Sequence, residues 1–374
     1  MGKVKLEKYI SEYSQKNKNR NSYPVYSVTN SNGFCTEYFT KDVSSEDKSG
    51  YKLVPFGYFA YNPSRINVGS VDCQMKEKYV IVSPLYTVFK VGSGMNIEYL
   101  RYFFKSNYCK YLIQSKVSGS VRFNLKFDTL KSFEINEISN DEQQKAVEIF
   151  GSIEDLIKTE EKELSFLNEL IKSRFNELFR PIQYMCDSDY SIGDVCEVNP
   201  KKDSLDDNIE ITFIPMEKVG VDGSLKLDSH RKYGDIKKGF SQIKENDVLF
   251  AKITPCMENG KATIAKGLIN GYAGGTTELF VIRCGDKVLP EYLFHIVHSQ
   301  YFRDKAKPNM RGTVGQQRVG KNFIESFHID VPDLKRQKEF SIFVNQVDKL
   351  KFNVQQRIEK YKELLNKKMS EYFN

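Results

Sequence analysis

The chain has 374 residues, of which 40% are hydrophobic, and a formal net charge of +7 at pH 7. This length exceeds that of one typical domain, and the modest basic excess is compatible with a nucleic-acid partner without requiring one. The seven cysteines include no CxxC pair, which argues against a disulfide framework and a zinc site. The amino-terminal stretch is too polar for a signal peptide, and no apolar run approaches the ~20 residues of a membrane span. We therefore expect a cytoplasmic protein with two or more domains.

Residues 20–134 contain short β-rich runs, such as YVIVSPLYTVFKV at 79–91, separated by polar loops. Two of these loops, FAYNPSRINVGSV at 59–71 and SGSVRFNLKFD at 118–128, carry side chains that suit nucleic acid. Asn pairs bidentately with adenine, Arg and Lys suit guanine or phosphate, and small residues let backbone N–H groups approach a phosphate. The DNA-binding residues predicted here are Tyr61, Asn62, Arg65, Asn67, Ser118, Ser120, Arg122, Asn124 and Lys126.

Residues 141–179 have an apolar residue at every third or fourth position, which predicts a long helix with a narrow coiled-coil seam. A straight helix of about 39 residues is roughly 58 Å long, and Pro181 ends it. Eight of the ten seam positions are apolar; the ten are Ala146, Phe150, Ile153, Ile157, Glu160, Leu164, Leu167, Ile171, Arg174 and Leu178.

Residues 190–331 again combine β-rich runs with turn signals such as VDGS at 221–224. Two polar loops, LFAKITPCMENGKATI at 249–264 and RGTVGQQRVGKNF at 311–323, occupy places that match the two loops of the first half. A polar loop that caps a helix is the alternative for any single residue, but four loops at matching points favour binding. The DNA-binding residues predicted here are Lys252, Asn259, Lys261, Arg311, Thr313, Gln316, Gln317, Arg318 and Lys321.

An internal repeat explains why these loops match. EYLRYFFKS at 98–106 aligns with EYLFHIVHS at 291–299, a shift of 193, and SFEI before Asn136 aligns with SFHI before Asp330, a shift of 194. The same shift gives a second seam from Phe340 to Tyr372, so we expect a second long helix that packs antiparallel to the first. Two unrelated surface helices are the alternative.

Sequence signatures of catalysis are missing. The chain has no GxxxxGK[ST] loop, no D/N-P-P-[YF] stretch and no PD…ExK pattern, and GYAGGT at 271–276 leads into a predicted strand instead of a helix. His295 and His298 lie i,i+3 on a predicted helix, a spacing that favours a packed helix face over a metal site. We therefore expect a binding protein without catalytic residues or metal of its own.

At these motifs the chain resembles the specificity subunits of type I restriction-modification systems, over essentially its whole length. NDVLFAKITPCMENGKATIA, GGTTELFVIR and RGTVGQQRVGKNF are similar to motifs of one common domain version, and YFAYNPSRINVGSV and SGSVRFNLKFD resemble those of another. YSIGDVCEVNP at 190–200 is similar to a usual domain opening, whereas VKLEKYISEYSQKN is a faint copy of it. FEINEISNDEQ replaces the usual proline-rich segment, which leaves the domain edges open.

The resemblance implies an α+β fold: two mixed α/β target-recognition domains in a pseudo-two-fold repeat, joined by two long antiparallel coiled-coil helices. The expected domains are 1–140 and 181–334, and the expected spacer helices are 141–180 and 335–374. It also implies a bipartite double-stranded DNA target, two methyltransferase subunits with S-adenosylmethionine, and restriction subunits with ATP and magnesium. A type IIB-like specificity chain and a stand-alone DNA-binding protein are the alternatives.

Overall fold

The structure is a computed structural model that describes residues 2–30, 32–36, 47–117, 124–185, 187–313 and 315–374. The chain divides into two compact units. The first unit contains Met1–Lys162 together with Val354–Asn374, and the second contains Glu163–Asn353. Each unit therefore combines a mixed α/β region with segments of two long helices, in agreement with the predicted α+β class.

The first unit is built around an antiparallel sheet with the strand order β2-β9-β6-β7, beside the strand pairs β1-β10 and β5-β8 and the hairpin β3-β4. Its core contains Phe59 and Phe89, whose rings stack across neighbouring strands at 5.1 Å. Its elements are β1 (Lys3–Lys5), β2 (Ile10–Glu12), β3 (Ser27–Thr29), β4 (Gly33–Cys35), β5 (Lys52–Pro55), β6 (Phe59–Tyr61), β7 (Val71–Cys73), β8 (Tyr79–Val82), β9 (Thr87–Val91), α1 (Ile97–Lys105), α2 (Asn107–Val117), α3 (Phe127–Lys131), β10 (Glu134–Asn136) and the first part of α4 (Asn140–Leu178).

The second unit has the equivalent antiparallel sheet, in the order β12-β19-β16-β17, and a further sheet in the order β14-β13-β18-β15. Its elements are β11 (Tyr190–Ser191), α5 (Ile192–Val195), β12 (Cys196–Val198), β13 (Glu210–Ile214), β14 (His230–Lys232), α6 (Tyr233–Ile236), β15 (Ser241–Lys244), β16 (Val248–Ala251), β17 (Ala262–Ile264), β18 (Tyr272–Gly275), β19 (Leu279–Cys284), α7 (Pro290–His298), α8 (Gln300–Ala306), β20 (Met310–Arg311), β21 (Arg318–Val319), α9 (Lys321–Glu325), β22 (His328–Ile329) and the first part of α10 (Leu334–Phe373).

The same contacts recur in both units at the shift that the sequence repeat predicts. In the first unit the rings of Tyr99 and Phe373 lie 4.9 Å apart, and in the second the rings of Tyr292 and Phe179 lie 4.8 Å apart. The two pairs join the equivalent helices α1 and α7 to the carboxyl ends of the long helices. The predicted pseudo-repeat is therefore present in the packing as well as in the sequence.

A buried glutamine at the start of each long helix has the same partners in both units. Gln143 accepts a hydrogen bond from Asn96 N at 2.7 Å and donates to Gly94 O at 2.9 Å. Gln337 accepts from Leu289 N at 2.8 Å and donates to Lys287 O at 2.8 Å. Buried polar backbone groups need such partners, so each glutamine fixes its long helix against the turn that precedes α1 in the first unit and α7 in the second.

The long helices confirm the predicted seam. The first, α4, begins and ends within one residue of the predicted range 141–179. All twenty seam positions of α4 and α10 are buried or half-buried. In the first unit Phe150 contacts Phe373 while Glu160 bonds Arg357 at 2.7 Å, so the segments run antiparallel there. The polar interruption of the seam at Glu160 is thus satisfied by a charge partner.

Candidate nucleic-acid interface

In the first unit, the two predicted loops meet. Leu125 N donates to Pro63 O at 3.0 Å, and the hydroxyl of Tyr61 donates to Leu125 O at 3.1 Å. The strand β6 ends at Tyr61, so its loop starts beside the segment that follows residue 123. Two stretches more than fifty residues apart in sequence therefore form one surface.

The predicted residues of the first unit occupy different depths in that surface. Arg65, Asn67, Asn124 and Lys126 are exposed. Asn62 is half-buried, and its side-chain oxygen accepts from Ser64 N at 3.0 Å, which shapes the turn. Ser118, Ser120 and Arg122 lie outside the described residues.

Tyr61 differs from the other predicted residues because its side chain is fully buried. Burial raises the pKa of its hydroxyl to about 12, and that hydroxyl bonds the backbone of the neighbouring loop. The structure thus gives Tyr61 a supporting position behind the loops and no surface that a ligand contacts.

In the second unit the two predicted loops also meet, through three backbone and side-chain hydrogen bonds. Val319 N donates to Lys252 O at 2.9 Å, and Thr254 N donates to Gln317 O at 3.0 Å. Gln317 N donates to the Thr254 hydroxyl at 3.1 Å. The loop junction is therefore a repeated feature, formed by the end of an inner strand and the segment before a short helix.

Five of the predicted residues in this unit are exposed and four are half-buried. Lys261 donates to Met216 O at 2.9 Å, and Lys321 pairs with Glu325 at 2.9 Å, so both cations have partners within the chain. The exposed residues are Asn259, Arg311, Thr313, Gln316 and Lys321, and the half-buried ones are Lys252, Lys261, Gln317 and Arg318.

Arg318 has an acidic partner that the sequence reasoning missed. Its guanidinium donates to the Glu278 carboxylate from Nε at 2.9 Å and from Nη2 at 2.8 Å. The arginine holds the pKa of Glu278 below its usual range, and the carboxylate raises the pKa of Arg318. The sequence did contain a signal for this partner: Glu278 comes directly before the strand LFVIRC, whose neighbour ends near Lys252.

Strand register defines which residues are equivalent at the two junctions. Phe59 pairs with Phe89 and Tyr61 with Thr87 in the first unit; with β9 aligned to β19 at the repeat shift of 193, the equivalent pairs of the second unit are Val248 with Ile282 and Phe250 with Phe280. One further step places Lys252, whose N–H donates to Glu278 O at 3.0 Å, opposite Glu278. The residues Pro63, Leu85 and Asn124 of the first unit thus correspond to Lys252, Glu278 and Arg318 of the second, and the bond from Leu125 N to Pro63 O matches the bond from Val319 N to Lys252 O.

The two helical histidines lie on a packed face. The ring of His295 stacks on Phe175 at 4.1 Å, and His298 stacks on Phe294 at 4.9 Å. Burial lowers the pKa of His295 to about 3 and also lowers that of His298, so both rings are neutral at pH 7. Within the described part of the chain, no group of three or more His, Cys, Asp or Glu residues is arranged to hold a metal ion.

The described helices include none that is long and apolar enough to cross a membrane.

The chain thus contains two copies of an α/β unit, each with a polar loop junction and with segments of the long helices. Residues 188–361, slightly less than half of the chain, match the family model of the type I restriction modification DNA specificity domain. The resemblance inferred from the motifs is thereby confirmed.

Two curated relatives from Escherichia coli align with parts of the chain. The type I restriction enzyme EcoAI specificity subunit is 40% identical over 156 residues, which cover 41% of this chain and 26% of that protein. The EcoEI specificity subunit is 36% identical over 145 residues, which cover 38% and 24%. The alignments therefore span about a quarter of the length of these relatives.

A solved structure supports the fold along the whole chain. A chain from a study of complex assembly and conformational transition in the type I R-M system matches with a TM-score of 0.58 at 13% identity. The match covers 100% of this chain and 97% of the other. At this identity the likeness establishes the architecture, which agrees with the two-unit fold predicted from the repeat.

Proposed function

We propose that the chain is the sequence-specific DNA-binding subunit of a type I restriction-modification complex. Each unit contacts one short half-site of a bipartite double-stranded target, and the base pairs between the half-sites are not recognised. The observation that carries the proposal is the repeated loop junction, which gathers distant polar residues onto one surface in each unit. Two equivalent surfaces with different polar side chains suit two half-sites of different sequence.

Charge and side-chain type support double-stranded DNA as the ligand. Arg65 and Lys126 are exposed at the first junction, and Arg311 is exposed at the second. Exposed cations attract phosphates, while the amides of Asn67, Asn124 and Gln316 can hydrogen-bond base edges.

The long helices support a second role as the attachment site of partner subunits. Leu156 and Leu350 are exposed to 45% and 52%, and they occupy the same position of the repeat. Leu170 and Leu364, exposed to 47% and 40%, also occupy one repeat position. Exposed apolar residues that recur in this way indicate a protein–protein contact surface in each unit.

In this proposal two methyltransferase subunits bind these surfaces and methylate adenine with S-adenosylmethionine, while restriction subunits supply ATP- and magnesium-dependent cleavage. The chain itself recognises the target sequence and holds the partner subunits, and it carries out no chemical step. A type IIB-like partner, in which methylation and cleavage are fused, fits the same surfaces and differs in what the partner subunit contains.

Selection from a random double-stranded DNA library tests the DNA-binding part of the proposal. The full chain, alone and with a co-expressed methyltransferase subunit, should enrich two short conserved blocks separated by a gap of constant length without sequence preference. Enrichment of one continuous site would contradict recognition by two independent units, and absence of any enriched sequence would contradict DNA recognition itself.

Partner binding is tested by stoichiometry. The double variant Leu156→Lys and Leu364→Lys alters the leucines of the first unit, so we expect the number of bound methyltransferase subunits to fall from two to one. Gln355→Lys is the matched control, because Gln355 is exposed and lies about half a turn from Leu364 around the helix. Size-exclusion chromatography with light scattering measures the ratio; a chain that binds DNA but never a methyltransferase subunit would be a stand-alone DNA-binding protein.

A further inference from the structure

The guanidinium of Arg318 is held in one orientation. Nε donates to the two carboxylate oxygens of Glu278 at 3.1 and 2.9 Å, and Nη2 donates to one of them at 2.8 Å. Nη1 donates to Gln316 O at 3.0 Å. The arginine side chain is 42% exposed and the glutamate 27% exposed, so the carboxylate lies on the inner side of the pair.

These bonds leave part of the guanidinium available. An arginine has five N–H donors in a rigid planar arrangement. The bonds to Glu278 and Gln316 use one N–H on each of the three nitrogens, so Nη1 and Nη2 of Arg318 each retain one. Two neighbouring donors in one plane match the O6 and N7 acceptors of guanine in the major groove.

The charge of the pair favours a base over a phosphate. Glu278 neutralises Arg318, and a neutral pair releases few counterions from the DNA backbone and is a poor phosphate anchor. Arg311 provides the contrast at the same junction. It is exposed, and its guanidinium donates to the backbone oxygens of Pro308 and Met310 at 3.4 and 3.2 Å, so its full charge remains.

We propose that Arg318 recognises a guanine base in the half-site bound by the second unit, and that Glu278 is the positioning residue that orients its guanidinium. The inference rests on the proposed function, because it requires the second junction to face DNA. It goes further by dividing the arginines of that junction into a base contact, Arg318, and a phosphate contact, Arg311. The first unit has Asn124 and Leu85 at the equivalent places and lacks this arrangement.

The main test compares Arg318→Lys with Arg311→Gln in the full chain, using the target selected by the unaltered protein. Arg318→Lys keeps the positive charge but loses the planar pair of donors. We expect it to weaken binding to the selected target roughly ten- to hundredfold, with no change on unrelated DNA and no change in salt dependence. Arg311→Gln should weaken binding to all sequences alike and lower the salt slope by about one.

The base itself is tested with 7-deazaguanine, which lacks the N7 acceptor. Substituted for each guanine of the second half-site in turn, it should weaken the unaltered protein at one position and cause no further loss in Arg318→Lys. This coupling between one residue and one atom identifies the contact. A half-site in which no guanine couples to Arg318 overturns the inference, as does a uniform loss on all sequences with a lower salt slope.

The role of Glu278 is tested by discrimination. Glu278→Gln should reduce the preference for guanine over adenine at the coupled position while leaving the thermal unfolding midpoint close to that of the unaltered chain, and Glu278→Asp should restore part of that preference. Unchanged discrimination in Glu278→Gln means that Glu278 does not position Arg318. If the unaltered chain selects a bipartite target but Arg318 couples to no base, the inference alone fails; if it selects no target, the proposed function fails.

Discussion

At the first loop junction the structure holds Pro63, Leu85 and Asn124, which are uncharged, and at the second the equivalent positions hold Lys252, Glu278 and Arg318, which are all charged. Behind these positions the two units agree closely, since Gln143 and Gln337 make the same bonds. The difference shows that the buried contacts are shared by the two units, while the residues at the loop junctions are free to change. One scaffold can thus present two different surfaces.

Exchanging the second unit's mixed region gives the largest expected effect. Residues 190–331 replaced by the matching segment of a relative should give a target with a new second half-site and an unchanged first half-site, because each unit has its own core. Specific and nonspecific binding differ by 10³-fold or more in typical systems, so the original target should be lost to that extent. Library selection measures the outcome; a folded chimera with two altered half-sites would show that the units do not recognise DNA independently.

The shared buried contacts are tested by removing the repeated glutamine from either unit. Gln143→Leu leaves Asn96 N and Gly94 O without their partner, and Gln337→Leu does the same to Leu289 N and Lys287 O. Each variant should lower the free energy of unfolding of its unit by about 2–4 kcal/mol, because unsatisfied buried polar groups cost about 1–3 kcal/mol each.

Hydrogen exchange measures the two units separately in these glutamine variants, and Gln356→Leu, at an exposed position of α10 in the first unit, serves as the control. If the free energy of unfolding falls by amounts that differ by more than about 1 kcal/mol between the two units, the two glutamines do not contribute equally and the comparison fails.

Exposed arginines sharpen the comparison of the two surfaces. Arg65→Gln in the first unit and Arg311→Gln in the second should each lower the slope of log affinity against log salt by about one, if both arginines contact phosphate. Fluorescence anisotropy between 50 and 200 mM salt provides the measurement. A slope that falls for one variant and not for the other would show that the two surfaces use their cations differently.

The smallest expected effect is a pH dependence confined to the second junction. Arg318 lowers the pKa of Glu278, so this carboxylate stabilises the fold above its unfolded-state pKa, and that contribution is lost as the pH falls through the lower folded-state pKa. The melting temperatures of the unaltered chain and Glu278→Gln should therefore differ slightly at neutral pH and converge in acid. A difference that persists in acid would mean that the charge of Glu278 is not its source.

Periodicity and repetition made much of the architecture predictable. A seam of apolar residues at helical spacing depends only on the local chain, and residues 141–179 therefore gave the first long helix within one residue at each end. The shift between EYLRYFFKS and EYLFHIVHS predicted equivalent elements, and α1 and α7 are indeed equivalent. The sheet β14-β13-β18-β15 was not predicted, because its strands pair across long sequence separations.

The site was predictable only in outline. Motif position placed both loops of each unit near a strand end, but it gave no information about depth, so the burial of Tyr61 was missed. The partner of Arg318 lies forty residues away in the chain, and no local pattern links it to Glu278. Whether the eighteen predicted residues contact DNA stays a prediction, and it depends on the orientation of side chains that the sequence leaves open.

The division of the chain into units has a consequence for the order in which they form during synthesis. The second unit is one continuous stretch, whereas the first needs Phe373, which packs on Tyr99 and Phe103 in its core. Domains usually fold in the order in which the ribosome releases them. Here the amino-terminal unit emerges first yet waits for residues near 373, so the carboxyl-terminal unit can complete its core earlier. The first unit therefore stays incomplete until α10 has left the exit tunnel of the ribosome.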